Sequence, residues 1–304
     1  MRMMSHLQYP PSQNPPTLKS TFQLCTIRIA FLSLLIAAVS ATAQTPNSIR
    51  TIAGQAPGFP NSGNPTGMDL AGPSSILEDS QGNLYMTSPF EQWVYEWTKS
   101  TGQMSVFAGT GYISDHYKPG QANQDPLWNP YAVAKDAQGN IYIADTGNNV
   151  VRKVDSSGTQ TVIAGNAKPC FTNGKCGDGG PATSAKLDNP QGVAVDSVGN
   201  VYIADTGINR VRVVGTDGII RAFAGKFGTS CATPTDPCGD GGFATGANLN
   251  GPIGLAIDKN NSVYIADTFD NRVRVVKSKK IYALAGTGSA CFPGAAVEMP
   301  GGSP

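Results

Sequence analysis

Four tandem copies of one four-stranded unit predict an all-β fold, a β-propeller of four-stranded blades. Three observations carry that expectation. Tyr-Ile-Ala-Asp starts at Tyr142, Tyr202 and Tyr264, with a weaker copy at Tyr85, so the spacings are 57, 60 and 62 residues. The segments around each copy are short, β-branched or aromatic, and bounded by Gly, Asn, Asp and Pro. Only 14% of residues are charged, and 36 Gly and 22 Pro are spread over 304 positions. That composition excludes a coiled coil or a long-helix protein, which needs abundant charge and few helix breakers.

The first stretch reads as an export signal, residues 1–43. Arg2, Lys19 and Arg28 supply positive charge, and no acid occurs before Asp69. An apolar run from Ile29 to Val39 ends at Ala41 and Ala43, the small residues that signal peptidase accepts. An uncleaved anchor is the competing reading, but the run is shorter than the roughly 20 residues that span a bilayer. No later segment approaches that length. Removing the leader leaves 19 basic residues against 21 acidic ones. No basic footprint for nucleic acid remains.

The propeller is expected over residues 44–290. Each unit begins with Leu-x-x-Pro, at Leu70, Leu127, Leu187 and Leu249. A short apolar run follows, such as Gly192-Val193-Ala194-Val195, then a turn such as Gln138-Gly139-Asn140. Tyr-Ile-Ala-Asp is the second strand. Asn-Arg-Val-Arg-Val-Val, at Asn209 and Asn271, opens the third, and its Arg/Val alternation has the period of a half-buried strand. An Ala-Gly ending closes the fourth. These parts place blades at about 67–109, 120–165, 180–225 and 242–286. A fifth Ala-Gly ending, at Ala53-Gly54, has no blade of its own. Residues 48–54 are therefore expected to be a spare closing strand, since an N-terminal strand often completes the last blade of a ring.

Five cysteines follow the leader. Cys170 and Cys176 are six apart, Cys231 and Cys238 seven apart, and each pair precedes Gly-Asp-Gly-Gly. Close pairs in an exported chain read as disulfides closing small loops. A four-cysteine zinc site fits poorly, because the pairs lie in different repeats. Cys291 stands where a third pair would begin, but the chain then runs to Pro304 without a partner. Residues 291–304 thus read as a truncated tail.

The repeats resemble the NHL-repeat β-propellers. The carrying residues are Pro190 to Asp196, Gly199 to Thr206 and Asn209 to Arg212, and the Gly177-Asp178-Gly179-Gly180 segment is similar to loops of bacterial exported members. Blade 1 departs: Ser88 stands for Asp, Gln92 for Asn, and Trp93, Tyr95 and Trp97 replace the Arg/Val pattern. The resemblance implies a six-bladed ring, of which four blades are present here.

Strand parity puts the connections into each blade and the second-to-third-strand turns on one face, where binding normally resides. The candidate partner residues there are Asp145, Asn149, Asp178, Asp205, Asn209, Arg210, Asp240, Asp267, Asn271, Arg272 and Trp93. Asp145, Asp205 and Asp267 could form a ring of carboxylates, or each could hold its own turn together with the following Asn or Arg. Asp178 and Asp240 could ligate calcium, or sit in tight glycine turns. Trp93, Tyr95 and Trp97, with Phe90 just before them, could be a peptide or glycan platform, or core. No catalytic residue stands out. The only histidine after the leader is His116, so neither a histidine-bound zinc site nor a Ser-His-Asp triad is supported. No cofactor is expected, with calcium the one ion the loop acids admit. The leading expectation is an exported binding or scaffold module for a protein, peptide or glycan. The alternatives are a lyase or calcium-dependent lactonase working at the channel mouth, and a structural module whose missing blades belong to a larger parent protein.

Overall fold

The computed structural model describes residues 62–63 and 70–289, apart from 115–118, 172–175 and 234–235. The leader, the strand expected at 48–54, His116, Cys291 and the tail lie outside the described residues.

Alternating side chains and tight turns build four antiparallel sheets, one per repeat. Blade 1 holds β2 (Ser75–Glu78), β3 (Leu84–Ser88), β4 (Trp93–Thr98) and β5 (Gln103–Ala108), and β1 (Ser62–Gly63) lies along the outer edge of β5. Blade 2 holds β7 (Pro130–Lys135), β8 (Ile141–Asp145), β9 (Val150–Val154) and β10 (Thr159–Ala164), edged by β6 (Gly120–Gln121). Blade 3 holds β11 (Pro190–Val195), β12 (Val201–Asp205), β13 (Arg210–Val214) and β14 (Ile220–Ala224). Blade 4 holds β15 (Pro252–Ile257), β16 (Val263–Asp267), β17 (Arg272–Lys277) and β18 (Lys280–Ala285). In blades 3 and 4 single bridges, Pro181 to Ile219 and Phe243 to Lys280, replace the short edge strand. Each incoming segment thus covers the open edge of the blade it is about to build.

The cores lie between blades. Tyr142, Ala144, Val151 and Ala164 of blade 2 meet Leu187, Val193, Ile203 and Ile220 of blade 3. Tyr202, Val211 and Ala224 of blade 3 meet Leu249, Val263, Ile265 and Ile281 of blade 4. Blade 1 covers blade 2 through Tyr85, Val94 and Ala108. Innermost strands pack in sequence, β2 on β7, β7 on β11 and β11 on β15, and no comparable packing joins β15 to β2. The tyrosine that opens each Tyr-Ile-Ala-Asp copy is therefore core wherever a blade follows it.

Main-chain amides add to the packing. Gly109 N–H donates to the Ala122 carbonyl, Gly165 to Ala182 and Gly225 to Ala244, each across a blade boundary. Side-chain amides do the same. Gln92 Oε1 accepts from Asn129 N–H, Asn149 Oδ1 from Asn189 at 2.8 Å, and Asn209 Oδ1 from Gly251 at 2.8 Å. Gln92, Asn149 and Asn209 sit in the left-handed region, which Asn tolerates better than most side chains. So Gln92 fills the Asn position of blade 1 in conformation and in bonding.

Candidate partner-binding face

One face of the molecule gathers the Leu-x-x-Pro segments, the short 3₁₀ turns between second and third strands, and the cysteine loops. Gly147 N–H bonds the Trp128 carbonyl, and Gly207 bonds Asp188, which joins segment to turn. Cys170–Cys176 packs against Ile208 of such a turn. The opposite face carries four hairpins whose Asp79, Asp136, Asp196 and Asp258 each accept two backbone N–H groups of their own turn. Those hairpins satisfy themselves and leave little for a partner.

Both expected disulfides are present, Cys170–Cys176 and Cys231–Cys238. Their loops are clamped by arginines from the third strands. Arg212 bonds Asp205 at 3.1 Å and Asp178 at 2.7 Å, and donates to the Lys186 and Cys176 carbonyls. Arg274 repeats this with Asp267, Asp240 at 2.6 Å, and the Asn248 and Cys238 carbonyls. In blade 2 Asp125 replaces the Gly-Asp-Gly-Gly carboxylate beside Arg152, with Asp145 at 2.6 Å. A register shift between third and fourth strands falls beside Arg152, Arg212 and Arg274. Such a bulge re-aims the side chain next to it. Each Arg is thereby buried and satisfied at once.

Burial dominates the three fully buried acids of these clamps. It raises the Asp205 carboxyl to about 7 against the pull of Arg212, and Asp267 to about 7 against its backbone bond and Arg274. Asp145 is raised by the same cause.

Several expected contact residues are therefore not at the surface. Asp145, Asp205 and Asp267 are fully buried and present nothing to a partner. Each accepts a backbone N–H from the preceding segment, at Trp128, Asp188 and Asn250, and none caps the backbone of its own 3₁₀ turn. Trp93 is buried too, set edge-on to Tyr95 and capped by Gly111, so it is core and not a platform. Asn149 and Asn209 are occupied between blades. Asp178 is shared by Arg210 and Arg212, and Asp240 is held by Arg274, so both carboxylates are engaged by guanidinium groups. Arg272 lies against both sulfurs of Cys231–Cys238. Asn271 remains exposed.

What the face does present is aromatic. Phe90 is 78% exposed, Trp128 40%, Phe171 80% and Phe269 66%. Three of them occupy one structural place. A Cβ on Gly72 would strike the Phe90 ring at 2.6 Å, one on Gly147 the Trp128 ring at 2.4 Å, and one on Gly251 the Phe269 ring at 2.2 Å. In each case a largely exposed ring lies against a glycine where segment and turn meet. Blade 3 puts Asp188 over Gly207 instead. Phe171 projects from the Cys170–Cys176 loop. Beside Phe269 a recess of about 200 Å³ is lined by Asn250, Asp270, Arg272 and the Cys231 loop. Asp270 Oδ2 is buried there without a hydrogen-bond partner. Cys231, Cys238 and Asp270 are close enough to suggest a metal site, but the disulfide removes the thiolates such a site needs. Sequence reasoning grouped Phe90 with the Trp93 strand and passed over Trp128 and Phe269. The signal for Phe90 and Phe269 was an aromatic at a turn position that is Gly in blade 2 and blade 3.

Residues 155–236 match the teneurin NHL domain family, and residues 249–276 match the NHL repeat. The chain carries NHL-type repeats. It is 30% identical over 192 residues to Teneurin-3 of Danio rerio, which covers 59% of this chain and 7% of that protein. Against Teneurin-m of Drosophila melanogaster it is 29% identical over 222 residues, 69% of this chain and 8% of the relative. The matches thus span under a tenth of these relatives. A virginiamycin B lyase structure from Staphylococcus aureus aligns with 12% identity and a TM-score of 0.45, over 73% of this chain and 58% of that one. Among the described residues, no helix is long and apolar enough to cross a membrane.

Proposed function

We propose that this is an exported binding module whose loop face takes a protein or peptide partner. The observation that carries the reading is the set of open aromatic rings on loops held by disulfides and arginine clamps. Exposed apolar rings rimmed by polar groups mark interaction surfaces, and rigid aromatic anchors supply most of the binding energy there. Pre-ordered loops reduce the entropy lost on association. Two disulfides fit an oxidising compartment, in line with the leader. A glycan is the other partner such rings accept.

The test is selection of peptides from a displayed library on the immobilised protein, with affinities remeasured on Phe171→Ser and Phe269→Ser. Loss of at least about tenfold in either variant, about 1.4 kcal/mol, is expected. Selected peptides that bind both variants as tightly as the parent defeat the proposal. A second reading, an enzyme working at this face, rests on the unpartnered Asp270 oxygen in its recess. Turnover of a lactone or ester panel that disappears in Asp270→Asn would favour it.

A further inference from the structure

Blades 1 to 3 each bury the side facing the next blade, and blade 4 exposes the same side. Ala108, Ala164 and Ala224 are fully buried, while their counterpart Ala285 is exposed. Tyr85, Tyr142 and Tyr202 are buried, and Tyr264 is only partly covered. Phe223 packs edge-on to Tyr202, whereas Leu284 in its place is 56% exposed. Polar groups repeat the pattern. Thr146 and Thr206 donate to the Pro190 and Pro252 carbonyls of the following blade, both at 2.6 Å. Thr268 reaches only Ala266 of its own strand. Asn149 and Asn209 accept an N–H from the following blade, and the Asn271 side-chain amide has no partner among the described residues.

These vacant groups specify their occupant. It must bring an apolar blade face, an N–H from a residue at positive φ, and the carbonyl of the proline after it. Asn189 with Pro190 and Gly251 with Pro252 supply that pair inside the molecule. Blade 1 carries the same pair, Gly72 at φ 67° and Pro73, on its leading edge. Pro73 is exposed where Pro130, Pro190 and Pro252 are buried, and neither Gly72 nor Pro73 makes a hydrogen bond among the described residues. We propose that blade 4 is a docking surface for blade 1 of a second copy, so that copies associate head to tail. Pro73 of the incoming copy meets Thr268, and Gly72 N–H meets Asn271. The interface continues the blade-to-blade packing already inside the chain. It is heterologous, so it extends to rings or chains instead of stopping at a dimer.

Sedimentation velocity of the full chain over roughly 1 to 100 µM tests this. The weight-average mass should rise with concentration. Leu284→Arg and Pro73→Arg both change exposed positions, and each should weaken association at least about tenfold with an unchanged melting temperature. Mixed together, the two variants retain one intact pair of surfaces, and a 1:1 heterodimer with nothing larger should form. Ile113→Arg, an exposed site elsewhere, should associate as the parent does. A parent protein that stays monomeric throughout overturns the proposal. So does association that survives Leu284→Arg, or a variant mixture that stays monomeric or forms larger species.

Discussion

Blade 1 and blades 2 to 4 solve the same structural problem with different chemistry. In blades 2 to 4 a buried Arg joins two carboxylates and the carbonyls of the incoming segment. In blade 1 Tyr95 takes the Arg place and Ser88 the Asp place. Ser88 Oγ donates to Glu91, Ala71 N–H bonds both Ser88 and Glu91, and Tyr95 reaches Glu91 at 3.5 Å. The strands, the bulge and the inter-blade core survive the exchange. The ion pairs therefore do not make a blade. Their added work is to hold the segment entering it, which in blades 3 and 4 is the cysteine loop of the binding face.

The largest effect should come from Arg212→Met. It leaves the buried Asp205 without its cation and Asp178 with Arg210 alone, and removing one partner of a buried pair costs about 3–5 kcal/mol. Tyr95→Phe, the same position in blade 1, should cost about 1 kcal/mol or less. Denaturant unfolding checks both, and equal losses would erase the distinction between the blades. Next in size is the staple. Cys170→Ser with Cys176→Ser should lower stability by about 2 kcal/mol for so short a loop, and should speed hydrogen exchange around Phe171. Smaller still is Asn209→Gly, which keeps the positive φ but loses a hydrogen bond between blades, about 1 kcal/mol. Asn271→Gly should leave the unfolding midpoint of the monomer unchanged, because its side-chain amide has no partner among the described residues.

The smallest effect concerns pH. The folded Asp205 carboxyl sits near 7 and the unfolded one near 3.8, so the native state takes up its proton first as pH falls. This group's contribution should rise as pH drops from about 7 towards 4 and be absent above 7. Asp205→Asn should flatten that part of the thermal stability profile relative to the parent. Blade 1 has no buried carboxylate at this position and should contribute no such slope.

The fold was legible because its period is long and its parts recur in order. Tyr-Ile-Ala-Asp, the Ala-Gly endings and the Leu-x-x-Pro segments each returned as a strand or strand boundary. The cysteine pairs were legible from spacing alone. The candidate site was not. A motif repeated for packing looks like a motif repeated for binding, and Asp145, Asp205 and Asp267 became buried clamp members. Trp93 went to the core because alternation along β4 says which residues share a side, not which side is covered. Trp128 and Phe269 were hidden, and Phe90 was grouped with the wrong residues, for the converse reason. They are partners of glycines 18 or 19 positions away, and only the apposition of turn and segment shows them as one feature.

The binding face is the central claim, and a hydrogen-exchange footprint of a selected peptide on the intact protein tests it most directly. Protection should fall on residues 89–92, 146–149 and 268–271 and on the Cys170–Cys176 loop. The hairpins at 79–83, 136–140, 196–200 and 258–262 should exchange as in the free protein. Protection of those hairpins with none on the aromatic turns would contradict the account.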